Sequence, residues 1–478
     1  MIRDYRQLNV GLLGIGLSAY WDQFKGLEQR LSGYLTDVER QICAESRRIV
    51  NYGLVDTPQK AVGVSHSCRK DDLDVLLIYV TTYALSNTLL PILRRAKIPI
   101  LLLNLQPEPS IDFRAVNAMS SRTDMTGEWL AYCNACPVPE ISNVLLRLGI
   151  PFDVVTGVLK DDPQCWSKIE DWLSAAEVLK TLSHSRLGLM GGYYSGMLDI
   201  ATDLTQLCGA FGVHVEHLEV DELSHLRSEV VASQLSEKRA AFSEFFDIGP
   251  DCPDDELTRA ARTSVALDRF VSQNELDLMA YYHKGRGNAP NEDTMSSIIL
   301  GASMLTGQNV PVAGEYEIKN VIAMKILDTL GVGGSFSEFY AIDFAEDVVL
   351  FGHDGPGHIG IAQDKIKVRP LQVYHGKVGK GLSVEMSVRY GPVTLLSVAE
   401  DKEHGYKLVV AQGESVPGEI LEIGNTNSRY RFSLGARAFV DQWSAQGPAH
   451  HCAIGVGHVG AKLRWLANQL QIPIVQIC

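Results

Sequence analysis

The feature that most constrains the fold is a recurrence of short apolar runs separated by stretches with helical spacing. Asn9 to Gly14 (NVGLLG), Arg48 to Leu54, Val75 to Val80 (VLLIYV) and Pro99 to Leu105 (PILLLNL) follow one another, with helix-like segments around Lys60 and Leu89. A strand with one wet face alternates apolar and polar residues, whereas near-continuous apolar runs fit a parallel sheet covered by helices on both faces. The first third of the chain therefore predicts a doubly wound domain. Its first helix is expected from Ser18, with Trp21, Phe24, Leu27 and Leu31 on one face.

A second round of the same alternation begins near His184. Strands are expected at Leu187 to Met190, His214 to Leu218, Leu276 to Tyr282 and Asn309 to Ala313. Helices are expected at Met197 to Phe211, from Asp221 to about Ala241, through Leu257 to Phe270 and at Met295 to Leu305. After Gly331 the texture changes to short runs with period two, such as LSVEMSVR at Leu382 to Arg389 and Val393 to Val398, and long helical patterns stop until Ala461 to Leu470. Such runs, broken by Gly, Asn and Asp, signal an antiparallel sheet or small barrel. The expected fold class is α/β: two Rossmann-like doubly wound domains, 1–160 and 161–331, followed by a C-terminal antiparallel β-barrel-like domain, 332–478.

Three domains suit 478 residues at roughly 150 per domain. A formal net charge of −14 argues against nucleic acid and anionic membranes, which reward clustered Lys and Arg. No apolar run approaches a membrane span, and the opening MIRDYRQLNVGLLGIG resembles neither a signal nor a transit peptide. Nine irregularly spaced cysteines fit reduced thiols, so a cytoplasmic protein is expected.

The chemistry concentrates between Val310 and His358. Glu315, Glu338 and His353 each interrupt or end an apolar run, and the segment GPAHHCAIG adds His450 and His451. A buried carboxylate is costly unless paired or bound to a cation. An oxygen and nitrogen donor set of Glu315, Glu338, His353 and His451, without thiolate, favours Mn²⁺, Mg²⁺ or Co²⁺. Residues separated by more than a hundred positions leave no local signature, so spacing alone is equally compatible with unrelated core positions. Two further candidates are Gln106, just past the fourth strand where ligands of parallel sheets collect, and His283 in the loop AYYHKGRGN. The first could equally be a solvated loop glutamine. Two motifs are weaker: GIGLSA only approximates a dinucleotide fingerprint, and CNAC at Cys133 to Cys136 lacks the second pair a zinc site needs.

The segments AGEYEIKN, SFSEFY, LFGHDG and GPAHHC resemble the metal-site segments of the L-arabinose isomerase family, related in fold to L-fucose isomerase. That resemblance implies Glu315, Glu338, His353 and His451 as ligands of a divalent metal, usually Mn²⁺. It also implies Glu315 and Glu338 as the acid/base pair, His450 beside the sugar and Gln106 reaching it from another domain. A homo-oligomer with active sites at subunit contacts is part of the same implication. The chain departs from the family at Phe339-Tyr340, Pro448 and the segment PEPSIDFRAVNAMSSRTDM, all bordering the substrate rather than the metal.

The expected reaction is aldose–ketose isomerisation through an enediol, with one glutamate moving the carbon proton and the other the oxygen proton. Two rivals stand beside it: a non-catalytic sugar-binding protein, which two tandem Rossmann-like units also describe, and an oxidoreductase using the GIGLSA loop.

Overall fold

In the computed structural model, residues 7–95, 97–285, 287–371, 373–374, 377–378, 380–403 and 405–478 are described. The chain forms two compact units, Met1–Lys180 and Thr181–Cys478.

The first unit is built on β1 (Leu8–Ile15), β2 (Arg47–Val55), β3 (Val75–Val80), β4 (Ile100–Gln106) and β5 (Phe152–Val158). All pairings are parallel, in the order β2-β1-β3-β4-β5. Strands β1 and β3 are buried at every position, as their unbroken apolar runs require. The edge strand β5 is largely half-exposed, which is why its polar-interrupted sequence FDVVTGV carries no such run. One boundary is corrected. The helix expected from Ser18 begins at Leu27, because Gly26 takes a left-handed φ of 84°. Ahead of it, Trp21 is turned aside to donate to Asp56 (2.7 Å). The turn after β1 therefore opens on a 3-10 segment, Ser18–Tyr20, and offers a pyrophosphate no helix N-terminus there.

The second unit contains a parallel sheet of β6 (Arg186–Gly191), β7 (His214–Leu218), β8 (Leu278–Tyr282) and β9 (Val312–Ala313), ordered β9-β8-β6-β7. Here too a helix is shorter than expected: only Leu204–Phe211 forms, capped by Asp203, and residues 197–203 lie outside regular structure. The helix expected at 221–241 is replaced by two shorter ones, Val220–Ser228 and Ala232–Phe245, while that expected at 295–305 forms as Ile299–Thr306, with a further helix, Ala289–Met295, before it. The helix Ile318–Thr329 is buried from residue 318 to 328, so its polar residues face protein rather than water.

The largest sheet takes β10 (Ser335–Asp343), β11 (Val348–His353), β12 (Gly391–Asp401), β13 (Gly405–Val416), β14 (Thr426–Phe432), β15 (His451–Val456) and β16 (Ile474–Gln476), while Leu382–Glu385 pairs instead with Ile366–Pro370 in a small separate sheet. The largest sheet is mixed, in the order β12-β15-β10-β11-β14-β13-β16. Within it β12 also pairs with β13 along eleven residues, which returns the order to its start and makes a ring of six antiparallel strands. The last strand joins β13 in parallel. A helix at Ala436–Ala445 precedes β15 and buries Ala436, Phe439 and Trp443 against the sheet, with Phe432 stacked on Phe439.

Candidate active site

Strand β9 ends at Ala313, and after Gly314 both Glu315 and Tyr316 adopt left-handed backbone, φ 57° and 64°. Each such non-glycine residue costs about 1–3 kcal/mol and persists only where its surroundings hold it. Here Tyr316 N donates to the Tyr281 carbonyl on β8 (2.9 Å) and Glu317 N to that of Gly314 (3.0 Å). The turn presents Glu315 to the start of β15.

On the mixed sheet, β10 carries Glu338 with His451 of β15 opposite it on one side and Gly352 of β11 on the other. A Cβ at Gly352 would collide with the Thr426 carbonyl and the Tyr340 ring, so only glycine lets the strands approach there. Phe336, two residues from Glu338 and on the same face, packs against the rings of His353 (4.2 Å) and His451 (4.3 Å). The two imidazoles stand 5.2 Å apart between centroids.

Glu315 is the carboxylate that both histidines share. Its Oε2 lies 3.3 Å from His451 Nε2 and 3.7 Å from His450 Nε2, and the three donor groups sit within 4.8 Å of one another. Each imidazole meets a second carboxylate at its other nitrogen. His451 Nδ1 is 3.5 Å from Glu317 Oε2, and His450 Nδ1 is 2.6 Å from Asp199 Oδ2, which also accepts the His450 main-chain N–H (3.0 Å).

Burial alone would raise the Glu315 carboxyl, but His450 and His451 overcome it and hold the group far below the usual carboxylate range. Glu338 moves the opposite way: burial pushes it up against the pull of His451 and His450. Burial disfavours the His451 imidazolium, yet Glu315 and Glu317 outweigh that and lift its pKa to about 9. One carboxylate held ionised beside another drawn toward the neutral form is the electrostatic pattern of an acid/base pair.

The donors suit a divalent cation. Glu315 Oε2 and His451 Nε2 are buried, face each other, and have no hydrogen-bond partner among the described residues. Glu317 on His451 Nδ1 fixes the tautomer that leaves Nε2 a lone pair, the arrangement that carboxylates impose on metal-binding histidines. Of the residues singled out from sequence, Glu315, His450 and His451 converge. Glu338 and His353 flank them on neighbouring strands, outside that three-donor group. His353 Nδ1 accepts the Gly355 amide (2.9 Å). A cavity of about 680 Å³ is lined by Glu315, His353, Asp354, His283 and Lys284. Gln106 ends β4 in the first unit, its side-chain amide on the Glu108 carbonyl (2.6 Å).

Two functional candidates were missed. Glu317 was signalled by its position, two residues after Glu315 in an otherwise apolar stretch and with no exposed surface. Asp199 had no signal, since it sits in a segment that reads as helix.

No family model matches the chain. It is 22% identical over 428 residues to a sulfoquinovose isomerase of Priestia megaterium, covering 88% of this chain and 89% of that one. It is 21% identical over 425 residues to an L-arabinose isomerase of Aeromonas salmonicida, covering 84% and 80%. An L-arabinose isomerase of a Nocardioides species is 23% identical over 354 residues, covering 71% and 68%. Similarity of this breadth identifies an enzyme of the aldose–ketose isomerase class. More narrowly, these similarities, low in identity but broad in coverage, support an L-arabinose isomerase-like sugar isomerase family.

Proposed function

We propose that the protein is a metal-dependent aldose–ketose isomerase of a monosaccharide, acting through an enediol with Glu315 and Glu338 as the acid/base pair. The observation that carries this reading is the convergence of Glu315 with His450 and His451, from parts of the chain more than a hundred residues apart, on one buried pair of unsatisfied atoms. Glu315 and His451 would hold the cation, with Glu338 and His353 as the remaining ligands and Mn²⁺ the favoured metal over Mg²⁺ and Co²⁺. When bound, the metal supplies Lewis-acid stabilisation of the charge that develops on the sugar oxygens.

The chain's own residues do the proton work. Carboxylates on either side of a sugar can take a proton from the carbon bearing the hydroxyl and return one to its neighbour, a role typically worth about 10²- to 10⁴-fold in rate. His450, more open to solvent than His451, stands on the sugar side with His283, and Gln106 is the third substrate-binding residue of the reading. The 680 Å³ cavity has ample room for a monosaccharide. A barrel-like C-terminal domain, three domains at 1–160, 161–331 and 332–478, a cytoplasmic location and a homo-oligomer with sites at subunit contacts belong to the same proposal. Among the described residues no helix is long and apolar enough to cross a membrane.

The decisive experiment strips the protein with chelator, restores Mn²⁺, and follows ketose formation over a panel of aldoses that includes L-arabinose and sulfoquinovose, the sugars named for its relatives. Metal-restored conversion of at least one sugar is expected. Binding without conversion anywhere on the panel would replace the proposal with a sugar-binding protein.

A further inference from the structure

Residues 192–203, GYYSGMLDIATD, form no helix or strand between β6 and the helix Leu204–Phe211, yet they deliver Asp199 to His450. Main-chain bonds hold it at Gly192 and Met197, and side-chain contacts must hold the stretch that carries Asp199. Three of them bracket that residue. The Tyr193 ring packs edge-on against Tyr316 (4.9 Å), next to Glu315. Thr202 bonds Tyr406 (2.6 Å) and Glu400. Between them, the Lys319 ammonium donates to the carbonyls of Asp199 (2.8 Å) and Ala201 (3.0 Å).

Lys319 is the unusual member. It is 2% exposed, and among the described residues it forms no ion pair. A buried ammonium is expensive, and a methionine of similar length would fill the space without that cost. What the ammonium adds is a grip on two main-chain oxygens, one of them belonging to the residue that holds His450. The geometry points to Lys319 and Asp199 as a positioning brace. Lys319 fixes the Asp199 main chain, Asp199 Oδ2 takes both the His450 Nδ1 and main-chain N–H, and the His450 Nε2 edge is thereby set toward Glu315 and the sugar. The inference rests on the isomerase reading only for its kinetic consequence. The brace itself is a matter of ring orientation and tautomer.

The test uses full-length Lys319→Met, Asp199→Asn and the double variant. Lys319→Met keeps the side-chain volume, and Asp199 lies on a partly exposed loop, so both should fold. In metal-free protein labelled with ¹⁵N-histidine, at a pH where the ring is neutral, His450 should show the Nδ1–H tautomer in wild type. Both single variants should shift it toward Nε2–H, with the signal assigned by its loss in His450→Gln. On the best sugar of the panel with Mn²⁺, each single variant should lose about 10- to 100-fold in kcat with a smaller change in KM, since misplacing a catalytic group by about 1 Å can cost that much. The double variant should lose no more than the worse single one, because the two residues act in series. An unchanged His450 spectrum in Lys319→Met overturns the brace, as do fully additive losses. If the wild type converts no sugar, the isomerase reading fails and the ¹⁵N spectra still decide the brace.

Discussion

His450 and His451 are consecutive and carry the same equipment, a carboxylate on Nδ1 and Glu315 toward Nε2, but one half of the site is sealed and the other is wet. The side chains of His451 and Glu317 are both wholly buried, whereas those of His450 and Asp199 are 35% and 39% exposed. Identical chemistry in different surroundings should serve different ends. A dry carboxylate–imidazole pair cannot exchange partners with water and suits holding an ion; a pair open to solvent can meet a substrate. The split falls at the start of β15: His451 opens the strand inside the sheet, while His450 precedes it, their rings 3.8 Å apart.

The largest effect should come from the residue that both halves share. Glu315→Gln is expected to lower kcat/KM by about 10²- to 10⁴-fold or more, the range for losing an acid/base group, and to abolish Mn²⁺ binding by calorimetry. A Gln variant with full metal-dependent turnover would remove Glu315 from both roles. Next comes the sealed half. Glu317→Gln should weaken metal binding by about 10- to 100-fold, the usual cost of losing a residue that orients a ligand, while kcat at saturating metal stays near wild type. Asp199→Asn should do the reverse, leaving metal affinity nearly intact and lowering kcat. Should both variants change the same parameter, the division of labour between the halves is wrong.

The division also explains what could be read from the sequence. Strand β3 matches its expected bounds to the residue, because a strand buried on both faces has no option but an apolar run; the edge strand β7 also matches, although it is polar and largely exposed. Helix starts fared worse. Gly26 and Asp203 act as breaker and cap only once their neighbours are in place, so the helices expected from Ser18 and Met197 begin later. The helix Ala436–Ala445 was legible from Ala436, Phe439 and Trp443 at helical spacing, but the surrounding β texture masked it. For the site, Glu315 and His451 stood out as polar residues in apolar runs, and Glu317 stood beside them. Asp199 is brought to His450 by tertiary contacts across 251 positions, and no pattern within either segment encodes that.

The sealed half makes a further, smaller prediction in pH. With its pKa lifted from 6.5 to about 9, His451 is an imidazolium at neutral pH in the metal-free protein and must lose that proton to ligate a metal. Mn²⁺ affinity should therefore rise with pH and level off above about 9, with proton release measurable in calorimetry as a dependence on buffer ionisation heat. The sign for stability is opposite. A raised histidine pKa stabilises the fold fully below 6.5 and loses that contribution as pH rises through about 9. Metal-free wild type should thus lose melting temperature relative to His451→Gln across that window, and a constant difference between them would contradict the pairing with Glu315 and Glu317.

The smallest effect should come from salt, and it tests the comparison most directly. The Debye length falls from about 10 Å at 0.1 M to about 3 Å at 1 M, so charges open to solvent are screened while buried ones are not. The exposed pair of His450 and Asp199 should loosen over that range, and the sealed pair of His451 and Glu317 should not. Carbethoxylation followed by peptide mass spectrometry distinguishes the two neighbouring rings. In metal-free protein His450 should react readily, and faster at high salt as Asp199 releases its ring. His451, without exposed side-chain surface, should react slowly and at a rate indifferent to salt. Equal reactivity of the two histidines, or a salt response at His451, would mean that the halves share one environment and that burial does not separate ion holding from sugar handling.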